Sequence, residues 1–273
     1  MFVSIVCLVC AIALSVTSAL TFWPVYPHAY NFYRPIVMFI AGYVVGIALC
    51  WIFYDINGRI ICSKKKNYMK PSNWARFLLT QGMWYIDFHA NISLKKIGMD
   101  KIPNEPFLLI GNHKSKFDPM IAAAVFRKIH LAFITKEDNM KIPLANRLMW
   151  RNGYMPVNRE DKLQSLEQFK KAAELIGSGA SSVGVYPEGS RQEEHVILAP
   201  FHNGTFNIAT RTGCPIVILT MRGTSNIHKN FPFKRSKVEM KVVQVLYKED
   251  YAGMNATELS DYVHDIMYRD LAE

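Results

Sequence analysis

The chain has 273 residues, half of them hydrophobic, and a net charge of +10 from 32 Lys and Arg against 22 Asp and Glu. That leaves room for one large domain, or for a modest domain plus a membrane anchor. Five cysteines, with one C-x-x-C pair (Cys7, Cys10) inside an apolar run and no accompanying His cluster, argue against a disulfide framework and a structural zinc site.

The apolar content is concentrated at the start. Residues 1–33 contain no Asp, Glu, Lys or Arg, and neither do residues 35–54; only Arg34 interrupts them. Both runs, about Phe2–Tyr26 and Ile36–Tyr54, are long enough to cross a bilayer. Trp23, Tyr26, Tyr30 and Tyr33 lie between them and Trp51, Phe53 and Tyr54 end the second, as in an interfacial aromatic belt. Two readings of the first run stand: one arm of a hairpin that spans or dips into a leaflet, or a cleaved signal with Thr17-Ser18-Ala19 as its site. The missing n-region charge disfavours the second. Arg59, Lys64, Lys65 and Lys66 follow, so the positive-inside rule puts the rest of the chain on the cytoplasmic face.

Next, Ser72–Ile97 carries Trp74, Phe77, Leu78, Trp84, Tyr85, Phe88 and Ile92 at roughly helical spacing, flanked by Lys70, Lys95 and Lys96. It reads equally as a helix in the headgroup region and as one packed on the domain. Beyond it, short apolar runs predict strands at Pro106–Gly111, His130–Thr135, Tyr154–Asn158, Val183–Tyr186, Pro215–Met221 and Val238–Leu246. Helical patterns fall between them at Pro119–Arg127, Ile142–Trp150, Leu163–Ile176, Asn203–Arg211 and Glu258–Leu271. This alternation predicts an α/β domain with a mixed, largely parallel sheet flanked by helices. Ligands of such sheets gather beyond the carboxyl ends of the strands, where the polar clusters of this sequence fall.

Gly111-Asn112-His113-Lys114-Ser115-Lys116-Phe117-Asp118-Pro119 leads from a strand into a helix. Asp118 suits a helix cap with Pro119 at the first helical position. It can also reach a ring nitrogen of His113, leaving the other nitrogen as a general base. In Tyr186-Pro187-Glu188-Gly189-Ser190-Arg191, Gly189 permits a tight turn and Arg191 offers a fork for phosphate oxygens. Glu188 can accept a hydroxyl hydrogen bond or hold Arg191. Arg159, after the third strand, and Lys136, after the second, would complete a cationic pocket. Neither Ser115 nor Ser190 sits in a Gly-x-Ser-x-Gly elbow, which disfavours a serine hydrolase.

Four blocks in order, Asn112-His113…Asp118, Gly153–Arg159, Tyr186–Arg191 and Cys214–Ile218, resemble those of the glycerolipid acyltransferase family, in particular the 1-acyl-glycerol-3-phosphate acyltransferases. The likeness covers roughly residues 105–222, with Tyr186 for the family's Phe and Ser190 for its Thr. It implies a glycerol-3-phosphate acyltransferase-like fold preceded by a membrane hairpin. The implied division is an anchor at 1–58, a basic linker and interfacial helix at 59–104, and a catalytic domain at 105–273. It implies His113 as base and Asp118 as its partner, with Glu188 and Arg191 binding the acceptor and Arg159 joining them at the phosphate; Gly189 and Ser190 of the same block and Lys136, from its place after the second strand, complete the candidate substrate site. No metal belongs to the pattern and no cofactor is expected. The expected reaction moves an acyl group from acyl-CoA or acyl-carrier protein to lysophosphatidic acid at a membrane with anionic lipids; nucleic acid is not an expected partner. The alternatives are another lysophospholipid or glycerol-3-phosphate as acceptor, or a non-catalytic protein that binds anionic lipid.

Overall fold

The computed structural model describes residues 2–22, 33–61, 70–158 and 161–273. Trp23, Tyr26, Tyr30, Lys64, Lys65, Lys66 and Arg159 therefore lie outside the described residues. The chain forms two compact units, Met1–Ser63 and Lys64–Glu273.

In the first unit, helix α1 (Phe2–Phe22) packs on helix α2 (Tyr33–Ile61). Both are long and apolar enough to cross a membrane. Small residues set the closeness of the pair. Gly42, Gly46, Cys50, Tyr54 and Gly58 recur every fourth residue along the buried face of α2. A methyl group on Gly42 would stand 2.5 Å from the Cys10 carbonyl oxygen, and one on Gly46 would stand 2.6 Å from the Cys7 Cα. Cys7 and Ala11 are fully buried opposite, so Cys7 behaves as a small apolar residue.

The second unit is built on a seven-stranded sheet in the order β1-β7-β6-β2-β5-β3-β4. Its strands are β1 (Ile92–Ile97), β2 (Leu108–Gly111), β3 (Leu131–Lys136), β4 (Met155–Val157), β5 (Ser182–Val185), β6 (Ile216–Arg222) and β7 (Ser236–Leu246). Every neighbouring pair is parallel except β6 with β7. This is the mixed, largely parallel sheet expected. β2 and β5 are buried at every position, as are the first six residues of β6. Their largely apolar runs, interrupted only by the buried hydroxyls of Ser182 and Thr220, suit strands covered on both faces. The covering helices are α3 (Asn73–His89), α4 (Asp118–Val125), α5 (Ala145–Arg151), α6 (Lys162–Gly177), α7 (Asn207–Thr212), α8 (Ser225–Asn230) and α9 (Ala256–Ala272). Because β1 and β7 run against the other five strands, their starts share an edge with the carboxyl ends of β2, β3, β5 and β6.

Two differences from the sequence expectation stand out. The helical pattern read to Ile97 ends at His89, where Asn91 at φ 52° turns the chain into β1. Asparagine tolerates that left-handed conformation better than most residues. Ile92–Ile97 then pairs with β7 from Ser236 onward. Helix α8 has no counterpart in the expected elements. On α3, Ser72 caps the helix by accepting from the Ala75 N–H, and Ala75, Leu78 and Leu79 are buried beneath it. Trp74 stacks on Phe77 at 5.4 Å and Trp84 on Phe88 at 5.3 Å. Trp74, Phe77 and Phe88 remain exposed. The helix thus packs on the domain and still presents aromatic rings outward.

A cavity of about 430 Å³ lies among Trp84, Asp87 and Phe88 of α3, Ile121 of α4, and Arg127 and Lys128. Burial pushes the Asp87 carboxyl up to about 7, and its Oδ1 has no hydrogen-bond partner among the described residues. Between the ordinary aspartate value and about 7, the folded chain holds a proton that the unfolded chain releases, so stability falls as pH rises through that window. Asp87→Asn, which removes the burial penalty, is expected to raise stability at pH 8 by on the order of 2 kcal/mol. Melting curves at pH 8 and pH 5 should show that advantage shrinking at the lower pH.

Helix α9 is pinned across the far strands by one acid. Asp270, almost fully buried, accepts from the Thr220 hydroxyl at 2.8 Å. It also pairs with Lys241 and, at 3.6 Å, with Arg222.

Candidate active site

β2 delivers the chain to the site edge, and Asn112 fixes how it leaves. Its buried side chain donates to the Met221 carbonyl at 3.0 Å and accepts from the Met221 N–H at 2.7 Å. The side chain thereby continues the β2–β6 ladder one residue past Gly111.

Asp118 organises the loop that follows. It is fully buried, and its Oδ2 accepts from the Lys114 N–H at 2.8 Å and the Ser115 N–H at 2.7 Å. The same oxygen lies 2.9 Å from Nδ1 of His113. The cap expected at the helix start is not what this carboxylate does. Asp118 is itself the first residue of α4, Phe117 occupies the cap position without a side-chain bond, and Pro119 follows in the first turn. The carboxylate turns back onto the loop because three donors converge there. A carboxylate acceptor fixes the tautomer: Nδ1 carries the hydrogen and Nε2 keeps its lone pair.

The His113 side chain is 19 % exposed, buried enough to be oriented and open enough to be reached. Its ring stacks on Tyr186 at 4.6 Å and 27°, and Tyr186 lies parallel to Phe133 at 6.0 Å. Gly111 admits this arrangement, since a methyl group there would come within 3.0 Å of the Tyr186 ring. Burial pushes the Tyr186 phenol well above its ordinary value, so it stays neutral.

The loop after β5 grips the histidine from the other side. Glu188 is 4 % exposed; one carboxylate oxygen accepts from the His113 N–H at 2.6 Å, the other from the Ala199 N–H at 3.0 Å. The Gln192 N–H donates to the His113 carbonyl at 2.9 Å. Lys114 donates from its ammonium to the carbonyls of Glu193 and Val196. Both backbone groups of His113 are therefore held by a segment some 75 residues away. Burial raises the Glu188 carboxyl, while the two N–H donors and nearby Lys114 and His113 oppose that rise.

The sequence left Glu188 two uses, a hydroxyl hydrogen bond or a grip on Arg191. Here each carboxylate oxygen accepts from a backbone donor, so the side chain holds the loop around His113 rather than Arg191, and a lone pair on each oxygen is left for a further donor. Gly189 sits at φ 72°, a conformation that suits glycine, and a methyl group there would fall 2.6 Å from the His202 ring. Ser190 is exposed, its hydroxyl accepting from the Gln192 side chain. Arg191 is exposed and makes no hydrogen bond or ion pair with a described residue. Lys136 ends β3 on the same edge; its side chain is 62% exposed and its ammonium pairs with Asp138 at 2.5 Å. That contact, with Lys141, holds Asp138 down at about 2.

The structure thus joins His113, Asp118 and Glu188 in one network, sets Gly189–Arg191 on the loop that carries Glu188, and leaves Lys136 in an ion pair of its own. Asn112, Lys114 and the Tyr186 ring were not assigned supporting roles from sequence.

Residues 93–222, which include this network and its loops, match the model of the family described as Acyltransferase. A 1-acyl-sn-glycerol-3-phosphate acyltransferase of Haemophilus influenzae is 24% identical over 227 residues, covering 83% of this chain and 92% of that protein. Its namesake in Saccharomyces cerevisiae is 21% identical over 235 residues, covering 84% and 75%. The fold is similar to the crystal structure of the 1-acyl-sn-glycerophosphate (LPA) acyltransferase PlsC from Thermotoga maritima, with a TM-score of 0.58 and 20% identity over 82% of this chain and 94% of that one. The four sequence blocks, the shared fold and the matched segment agree: residues 93–222, which carry the whole His113–Asp118–Glu188 network, match an Acyltransferase-family domain.

Proposed function

We propose that this acyltransferase moves a fatty acyl group from an acyl thioester, on coenzyme A or on acyl-carrier protein, to the free hydroxyl of lysophosphatidic acid, giving phosphatidic acid. The observation that carries the reading is the His113 Nδ1–Asp118 Oδ2 contact of 2.9 Å, which leaves Nε2 as a proton acceptor at an accessible edge of the sheet. The names of the relatives supply the acceptor.

His113 Nε2 takes the hydroxyl proton as the acceptor oxygen bonds to the thioester carbonyl carbon. Asp118 stabilises the imidazolium so formed. The tetrahedral oxyanion then collapses, the C–S bond breaks, and the imidazolium returns its proton to the departing thiolate. The acyl chain moves directly, with no cofactor and no covalent enzyme intermediate. Arg191 grips the acceptor phosphate, joined by Arg159 and Lys136, while Glu188 holds the loop that positions the base. The positive charges that follow α2 in the sequence, Arg59, Lys64, Lys65 and Lys66, support a catalytic unit on the cytoplasmic face of the membrane.

The test is purified full-length protein with both thioester donors. Lysophosphatidic acid, glycerol-3-phosphate and lysophosphatidylcholine are offered side by side, and products are read by mass spectrometry. Equal transfer to lysophosphatidylcholine, or none to lysophosphatidic acid, would sink the reading. Arg191→Lys exchanges a planar fork for a point charge and should raise KM for the acceptor roughly tenfold, with a smaller change in kcat. Tyr186→Ala should lower kcat about three- to tenfold by unseating the imidazole, while Tyr186→Phe, which keeps the stacked ring, should not. Steady-state kinetics on both pairs check these outcomes.

A further inference from the structure

The segment between α8 and β7, Phe231-Pro232-Phe233-Lys234-Arg235, is exposed at every residue. Phe233 is 95% exposed and Phe231 55%. Leaving such a ring in water forgoes roughly 1.5–3 kcal/mol of burial. Lys234, Arg235 and the neighbouring exposed Lys237 make no ion pair with a described residue. Outward aromatic rings beside unpaired cations match an anionic lipid surface, which accepts rings at headgroup depth and attracts Lys and Arg.

The position of the segment matters as much as its composition. Arg222 at the end of β6 pairs with Glu239, so β7 begins three residues past the site edge. The exposed segment therefore overhangs the edge at which β2 hands the chain to His113. β7 stands two strands from β2, a lateral offset of about 10 Å. Lys229 of α8 pairs with Glu194 at 2.8 Å, tying this corner to the loop that grips His113. On the other flank the Ser236 N–H donates to the Asn91 carbonyl at 3.1 Å. That bond places the turn after α3, near exposed Phe88, against the start of β7.

We propose that Phe231–Arg235 is a membrane-contacting loop that seats the active-site rim on an anionic bilayer, so that the acceptor enters from the lipid surface. The proposal rests on the reading that the acceptor is a membrane lipid. Its test uses the full chain in nanodiscs of phosphatidylcholine with or without phosphatidylglycerol. Two double variants are compared with the unaltered chain, Phe231→Ser with Phe233→Ser, and Lys234→Glu with Arg235→Glu. In the anionic disc each pair is expected to raise KM for long-chain lysophosphatidic acid about tenfold. Turnover of a short-chain, water-soluble acceptor should not change. Independently, a nitroxide at Phe233→Cys, corrected for labelling of the native cysteines, is expected to collide with oxygen more than with a water-soluble nickel chelate in the anionic disc.

Full access of the chelate to the label would overturn the proposal. So would protection from both reagents, which would signify a protein contact, and so would equal losses with both acceptors. If the unaltered chain acylates neither acceptor, the proposed function fails, and the label still decides whether the loop meets lipid.

Discussion

Replacing His113 with alanine should reduce kcat by roughly a thousandfold, the scale of a lost general base, while changing acceptor KM little. The split follows from geometry. Asp118 keeps two backbone donors, Lys114 N–H and Ser115 N–H, after the ring is gone. The peptide of residue 113 stays bonded to the Glu188 carboxylate and the Gln192 N–H, because those contacts use backbone atoms. The loop should therefore survive, and Arg191 lies on a separate segment. What disappears is the lone pair at Nε2 and the imidazolium that Asp118 stabilises. Single-turnover acyl transfer, with circular dichroism as the check on folding, is the measurement. Near-full activity in this variant would remove the base from the mechanism. A large rise in KM with kcat unchanged would make the histidine a binding residue instead.

The second large effect concerns stability. Asp270→Ala should destabilise the catalytic unit by about 2–3 kcal/mol, below the ~3–5 kcal/mol typical of a fully buried broken pair because two of its partners are partly solvated. The side chains of Lys241 and Arg222 are 31% and 37% exposed, so water recovers part of what they lose. Thr220, almost fully buried, recovers little. Burial pushes the Asp270 carboxyl up, but the hydrogen bonds from Lys241 and Thr220, with the nearby charges of Lys241 and Arg222, outweigh it and hold the group low. A depressed carboxyl contributes stability above its unfolded pKa and loses it as pH falls through the folded value. Acidification should therefore erase the difference between the two proteins. Melting midpoints measured at neutral and at acid pH check both statements.

Some of this was legible in the residue order. β2, β5 and β6 stand out as apolar runs because both of their faces are covered. His113 and Asp118 are close in sequence, so their contact needs only a short loop. The rest depends on partners far along the chain. Ile92–Ile97 looked like the tail of an amphipathic helix, and only its pairing with β7 makes it a strand. The structural part played by Glu188 was hidden, because nothing local reveals that the His113 and Ala199 N–H groups converge on it. Asp270 sits in a helical pattern as one acid among several, and its role appears only when β6 and β7 bring Thr220, Arg222 and Lys241 beneath α9. Lys136 was rightly placed at a strand end, and its exposed pairing with an acid two residues later was not foreseen.

The double hold on His113 bears on how the enzyme is made. A ribosome that has released the histidine and the aspartate has produced both reactive groups but not the clasp around them. That clasp closes only once Glu188, Gln192 and Ala199 have emerged and docked. Chemical competence should then arrive abruptly and late in synthesis, with little wasteful thioester loss by a half-made chain.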